Sequence, residues 1–241
     1  MAIKTEMIDA SGVPAYLARS DGNGPSPAVV VFHEAFGLNG HIKSVADRFA
    51  RAGYVALAPD LFHEAPERTA PYDNMEKAFG LVATLNDDQV KTDTGRAIEY
   101  LKSQPFVKSD RIAAVGFCLG GRLAFLAAAN FPEDIKAALP FYGGGLTGEA
   151  PFPNFKMNPL KLAENIKAPM LLIFGAEDTH IPLEQVRRVE ARLKELGKAA
   201  EVKVYEGAGH GFFCDERASY HAEAAADAWR RTLEFLSENL G

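Results

Sequence analysis

From residue 28 onward the chain alternates short apolar runs with longer stretches whose apolar residues recur every three or four positions. The runs at 28–32, 54–58, 112–117, 137–142, 170–174 and 202–205 predict strands buried on both faces. Between them, Val90, Ala97, Ile98 and Leu101 predict a helix stopped by Pro105. Leu183, Val186, Val189, Leu193 and Leu196 predict another, and Ala225, Trp229, Leu233 and Leu236 a third. Strand and helix in alternation imply an α/β architecture: a mostly parallel central sheet with right-handed crossovers and helices on both faces. The first thirty residues differ. Strands at 6–8 and 13–19 flank a turn at Ser11 and Gly12, which predicts an antiparallel hairpin before the loose segment at 21–25. A single domain over residues 1–241 is expected. The stretch 143–167, with Pro151, Pro153 and Pro159, lacks strand signal and is expected to be a loop beside the site. Ligands of open parallel sheets bind beyond the carboxyl ends of the strands, so the chemistry is sought there.

Composition narrows the partners. A formal net charge of -6, from 32 acidic and 26 basic residues, gives no reason to bind nucleic acid or an anionic membrane surface. No run reaches the roughly 18 to 20 apolar residues of a membrane span, and the N-terminus lacks a basic start followed by an apolar stretch, so a cytoplasmic location is expected. Cys118 and Cys214 are too few for a disulfide framework, and the 6 dispersed histidines assemble no metal site by spacing. Neither a metal nor a cofactor is expected, and a monomer or homodimer fits.

Residues 112–124 combine a strand, a tight turn and a small-residue helix around Gly116-Phe117-Cys118-Leu119-Gly120. This is G-x-C-x-G, a nucleophile elbow with cysteine in the serine position. The glycines let the chains cross closely on either side, and the start of a helix favours a thiolate. The backbone N–H of Leu119 would face a developing oxyanion. By itself the pattern fits a small buried cysteine equally well. Downstream, the strand at 170–174 leads to Glu177 and Asp178, and the strand at 202–205 leads to Gly207-Ala208-Gly209-His210-Gly211. Asp178 alone would read as a cap or loop charge, with Glu177 a competing acid, and His210 alone as a turn residue. Together, Cys118, Asp178 and His210 follow three strands in the chain order of α/β-hydrolase triads, which predicts a nucleophile, an orienting acid and a base.

These residues resemble the dienelactone hydrolase (carboxymethylenebutenolidase-like) family, α/β-hydrolases with a Cys-His-Asp triad. The resemblance rests on residues 31–39, 58–62, 116–121, 141–143 and 207–213. It implies the α/β-hydrolase fold and cleavage of a small-molecule ester or lactone. It also implies that Glu34 contacts the thiol at rest and is displaced by substrate, gating the nucleophile, and that the N–H of Ala35 joins Leu119 in the oxyanion hole. Phe36, Tyr142, Phe212 and Phe213 are expected to line the pocket. Arginines hold the carboxylate of dienelactones in that family, one of them shortly after the catalytic histidine. Here Cys214 stands at that place and residues 72–88 contain no arginine. Arg217 is expected to form a surface salt bridge, and Arg122 to pair with an acid. A neutral or aromatic ester then fits better than dienelactone itself. Two other readings remain open: the same site acting on neutral activated phosphotriesters, and a thiol redox or ligand-binding protein using Cys118 without turnover.

Overall fold

Three apolar runs lie inside the molecule: β3 (Ser26–Phe32), β4 (Val55–Pro59) and β7 (Met170–Gly175) are buried almost along their whole length. Strands with no polar face need cover on both sides, which only a sheet between helical layers supplies. The structure, a computed structural model, describes residues 2–22, 24–148 and 154–241; Asn23 of the loose segment and Pro151 and Pro153 of the expected loop lie outside these. With β1 (Ile3–Asp9), β2 (Pro14–Ser20), β5 (Val107–Phe117), β6 (Ile135–Phe141) and β8 (Ala200–Tyr205), the sheet has 8 strands among the described residues, in the order β1-β2-β4-β3-β5-β6-β7-β8. Strands β4, β3, β5, β6, β7 and β8 run parallel, and β1 and β2 form the antiparallel edge expected from the N-terminal hairpin. This is the α/β-hydrolase fold. Both outer strands carry charge, Lys4 and Glu6 on β1 and Glu201 and Lys203 on β8, which discourages pairing with another sheet.

Among the described residues seven helices enclose the sheet: α1 (Gly40–Arg51), α2 (Met75–Val82), α3 (Asp87–Ser103), α4 (Leu119–Asn130), α5 (Pro159–Leu162), α6 (Leu183–Glu195) and α7 (Ala222–Leu240). α1 and α7 meet through Phe49 and Trp229, whose ring centroids are 4.8 Å apart, and Arg48 stacks 4.1 Å over the indole. On the opposite side α3 packs against α4, which is buried from Leu119 to Ala129. Helices α3, α6 and α7 contain the spacings that predict helices, whereas α1 and α2 add to them. Each of these two starts at an asparagine cap, Asn39 accepting from the Ile42 amide and Asn74 from the Lys77 amide. In the stretch expected to be loop, Asn158 caps α5, and a 3-10 turn follows at Ala163–Asn165. No described helix is long and apolar enough to cross a membrane. The carboxyl ends of β3, β5, β7 and β8 lie side by side or one strand apart, which gathers the loops at 33–38, 118, 175–181 and 206–217 at one edge of the sheet.

Candidate active site

At the end of β5 the backbone turns abruptly into α4 through Cys118, whose φ of 56° and ψ of -113° are strained for a residue with a Cβ. Strain of this kind costs about 1–3 kcal/mol and persists only where the surroundings enforce it. The Cys118 amide donates to the Phe141 carbonyl at 3.0 Å, and the Cys118 carbonyl accepts from the Gly121 amide at 3.0 Å. A Cβ at Gly116 would collide with the Gly120 carbonyl, and one at Gly120 with the Phe32 carbonyl. The two glycines read as the elbow are thus the places where β5, α4 and β3 touch backbone to backbone. Cys118 itself is partly exposed, and Leu119 follows as the first helical residue, a position whose N–H has no partner within its helix.

Two loops bring the acid and the histidine together. Gly175 lies against the Ala208 carbonyl, where any side chain would clash, so the loops after β7 and β8 run in contact. Asp178 is buried there and Glu177 is exposed, which separates the two competing acids by burial. One Asp178 oxygen accepts from the amides of His180 at 2.8 Å and Ile181 at 3.0 Å, and the other lies 2.7 Å from Nδ1 of His210. A carboxylate held by two amides cannot rotate, so it orients the imidazole. The Cys118 sulfur is also a hydrogen-bond partner of His210. Burial alone would push the His210 pKa down, but the negative charge of Cys118 and the hydrogen bonds to Asp178 and Cys118 overcome it and raise it to about 10. His210 is therefore held in its protonated form beside Cys118.

Asp178, His180 and His210 present one ligand atom each within 4.8 Å of one another. Two ligands of one zinc ion at bonds of about 2.0–2.2 Å sit about 3.3 Å apart in a tetrahedral shell. The 2.7 Å contact is shorter, and the second Asp178 oxygen is already taken by amides, so the group fits a hydrogen-bonded pair better than a metal shell. His180 stays on the rim with its side chain 65% exposed.

The loop after β3 carries His33, Glu34, Ala35 and Phe36 to the same edge, all buried. His33 donates through Nδ1 to the Glu34 carbonyl at 2.7 Å and accepts from the Leu61 amide at 3.2 Å, which fixes a neutral tautomer whose pKa burial pushes down. Glu34 meets Arg217, Oε1 to Nη1 at 3.2 Å, while its Oε2 is buried with no partner among the described residues.

Arg217 corrects the expected surface salt bridge. Its side chain is 16% exposed, and its guanidinium lies 5.3 Å from the Phe36 ring centroid and 5.8 Å from that of Tyr72. Burial would lower its pKa, but the Glu34 charge raises it above the usual arginine value. The physical reason is the path after His210: Gly211, at φ 76°, starts consecutive tight turns, with Cys214 N–H bonded to the Gly211 carbonyl and Arg217 N–H to the Cys214 carbonyl. These turns fold the chain back and return its seventh residue to the site. Gly211, and the polar run Asp215-Glu216-Arg217 beyond the apolar residues 212–214, are the signal in the sequence. Cys214 lies inside the same fold-back, its thiol pushed up to about 11 by burial and by the Glu34 charge, so it stays protonated.

Among the described residues Arg122 pairs with no acid: it donates to the carbonyls of Gly145 at 2.5 Å and Met157 at 2.6 Å, tying the segment after β6 to α4. The expected pocket is also corrected in part. Phe213 stacks on Phe117 and reaches Phe141 and Trp229, and Phe212 packs between Tyr142 and Tyr205, so both are core under the site and not its lining. The turn at Gly211 aims them inward. Phe36 lies against Tyr72, and Tyr142 against His210, both on the site side.

Comparison with known proteins shows the family. The model of the dienelactone hydrolase family matches residues 13–240. A carboxymethylenebutenolidase candidate from Synechocystis is 36% identical over 95% of this chain and 92% of its own. A candidate dienelactone hydrolase from Klebsiella pneumoniae superposes with a TM-score of 0.88 at 34% identity over 98% of each chain. A dienelactone hydrolase-like promiscuous phosphotriesterase from metagenomic libraries does so with a TM-score of 0.83 at 26% identity over 100% of each chain. With the family matched from the second strand to the last helix, the chain belongs to the dienelactone hydrolase family and is a hydrolase of the ester and lactone class.

Proposed function

We propose that the protein cleaves carboxylic esters or lactones with Cys118 as nucleophile, His210 as proton carrier and Asp178 as its orienter, through a thioester on Cys118. The observation that carries this is the strained elbow cysteine in hydrogen-bonding reach of a histidine locked to a buried aspartate at 2.7 Å. The thiolate attacks the acyl carbon, and the N–H groups of Leu119 and Ala35 receive the oxyanion. His210, protonated at the outset, gives its proton to the leaving oxygen. Acylation then removes the negative charge from sulfur, which is the largest influence raising the His210 pKa. Burial regains weight, the imidazole stays neutral, and it can take a proton from water for deacylation. One histidine thereby serves as acid and then base because its neighbour changes charge. Acid quenching during turnover of an aryl acetate is expected to leave one acetyl group on the peptide containing Cys118; an unmodified peptide at every time point would sink the thioester.

Arg217 and Glu34 bear on substrate choice. With a buried arginine beside Phe36 and Tyr72, a lactone carrying a carboxylate becomes an acceptable substrate, which the sequence alone disfavours. Its carboxylate would compete with Glu34 for Arg217, and displacing Glu34 is the event that the gating role requires. Replacing Glu34→Gln together with Arg217→Met keeps the site free of an unpaired charge. A charge-assisted hydrogen bond contributes about 1.5–3 kcal/mol, so KM for a carboxylate-bearing lactone should rise about 10- to 100-fold. KM for a neutral aryl ester should change less than about threefold; equal changes would remove Arg217 from substrate recognition.

A second reading keeps the site and replaces the acyl carbon by phosphorus in a neutral activated phosphotriester. It is favoured by the full-length likeness to the promiscuous phosphotriesterase. A polarizable thiolate beside backbone N–H donors suits that centre also. The redox or binding reading gives way to the enzyme, since the family is one of hydrolases.

A further inference from the structure

Tyr142 combines backbone strain with an unsatisfied buried hydroxyl. It follows β6 directly, and its φ of 37° is rare for a bulky aromatic residue. Its amide donates to the Ile173 carbonyl at 2.7 Å, and the next residue, Gly143, packs against the backbone of Gly121 in the first turn of α4 with no room for a Cβ. Packing between the elbow helix and the end of β6 therefore enforces the strained turn.

That turn decides where the ring points. Its edge stands against His210, centroids 5.2 Å apart, and against Phe212 at 5.5 Å. The residue is fully buried, and its hydroxyl has no hydrogen-bond partner among the described residues. The phenol feels the charges of Glu34, Cys118, Cys214 and Arg217, and its ring meets that of His210. Burial, and then the charges of Glu34 and Cys118, push the phenol well above its ordinary value, so it remains an O–H donor throughout the working range. A donor that is buried, strained into place and unused at rest is arranged for something that arrives with substrate.

We propose that Tyr142 is a further catalytic residue whose hydroxyl donates a hydrogen bond to the leaving-group oxygen of the ester or lactone. This rests on the Cys118, His210 and Asp178 reading above. The side of the site is set by His210, which carries the proton that the leaving oxygen must receive and which the Tyr142 ring touches. As the sulfur–carbon bond forms and the acyl carbon–oxygen bond breaks, the electron pair goes to the leaving oxygen and the His210 proton follows it. Tyr142 keeps its own proton and stabilises the charge that builds on that oxygen before transfer is complete. Such help matters most when the leaving group is poor.

The test is Tyr142→Phe, assayed on acetate esters that share one acyl group while the leaving group varies from nitrophenol to simple alcohols, and on a saturated lactone. The nitrophenyl ester should lose less than about threefold in kcat/KM. Alkyl esters and the lactone should lose on the order of a hundredfold, the size of effect seen on removing one donor from a developing oxyanion. Because the substitution deletes an unsatisfied buried hydroxyl, Tm should stay the same or rise by about 2 °C. A loss equal for every leaving group, no loss at all, or a lowered Tm would overturn the proposal. Cys118→Ala run on the same series separates the two readings. If it retains hydrolysis, the nucleophile assignment fails; if it is inactive while Tyr142→Phe shows no leaving-group dependence, only the role of Tyr142 fails.

Discussion

Cys118→Ala is expected to lower the hydrolysis of an activated aryl ester by at least about 10⁴-fold, the scale of loss when a covalent nucleophile is removed, with Tm within a few degrees of the parent. Two consequences of the structure set that size. The nucleophile disappears, and so does the strongest of the influences that raise the His210 pKa against burial, so the histidine reverts toward the neutral form that burial favours. About 5.5 kcal/mol of transition-state stabilisation corresponds to this factor. Stability is spared because the thiol is partly exposed and the elbow is held by backbone hydrogen bonds to Phe141 and Gly121, which alanine retains. Residual activity above about a tenth of the parent would rule out Cys118 as nucleophile. The same variant decides the phosphorus reading. Repeated turnover of a neutral aryl phosphotriester by the parent and none by the variant would establish it, whereas a single stoichiometric burst would make such esters inactivators.

Asp178→Asn should reduce kcat by about 10³- to 10⁴-fold, as expected when the orienting carboxylate of a triad is replaced by an amide. The geometry gives the reason. Asp178 Oδ1 is committed to the amides of His180 and Ile181, so an asparagine whose oxygen keeps those bonds presents its NH₂ to His210 Nδ1. Nδ1 must then accept, and the imidazole takes the wrong tautomer. The pH profile should move with it. In the parent, His210 is protonated up to about pH 10, so acylation in single-turnover assays is supported below that value and falls as pH rises through it. Loss of Asp178 removes a hydrogen bond and a charge that favour the protonated form, while burial continues to oppose it, so the alkaline limb must shift to lower pH. An unmoved limb, or a loss of less than about tenfold, would show that Asp178 is not the orienter.

Much of this candidate site is legible in the chain itself because each proposed triad residue lies directly beyond a strand in a fixed order. Gly116 and Gly120 read as close-approach positions, and the backbone contacts at both agree. Helices α6 and α7 are visible because their apolar stripes repeat cleanly. Helix α1 carries a similar stripe in Ile42, Val45, Ala46 and Phe49, but it begins on a glycine, Gly40, and ends just before another, Gly53, which weakens the local helix signal. Strand β5 starts at Val107, five residues before its apolar run, because parallel pairing with Ser26 of β3 extends it through polar residues.

Arg217, Phe213 and Tyr142 are not legible in the same way. Spacing along a chain reports local periodicity, and the apolar runs therefore predicted the strands and their mostly parallel direction, and with them the carboxyl ends at which the candidate residues stand. Once the chain leaves a strand through turns, direction depends on individual dihedral angles and on what the turn packs against. Gly211 at φ 76° sends Phe212 and Phe213 into the core and brings Arg217 back to Glu34, and the strained turn at Tyr142 sets its ring against His210. The sequence by itself determined which chemistry stands at the sheet edge. Only the tertiary structure decided which charges and donors face it, because contacts between loops distant in the chain enforce conformations that no local pattern encodes.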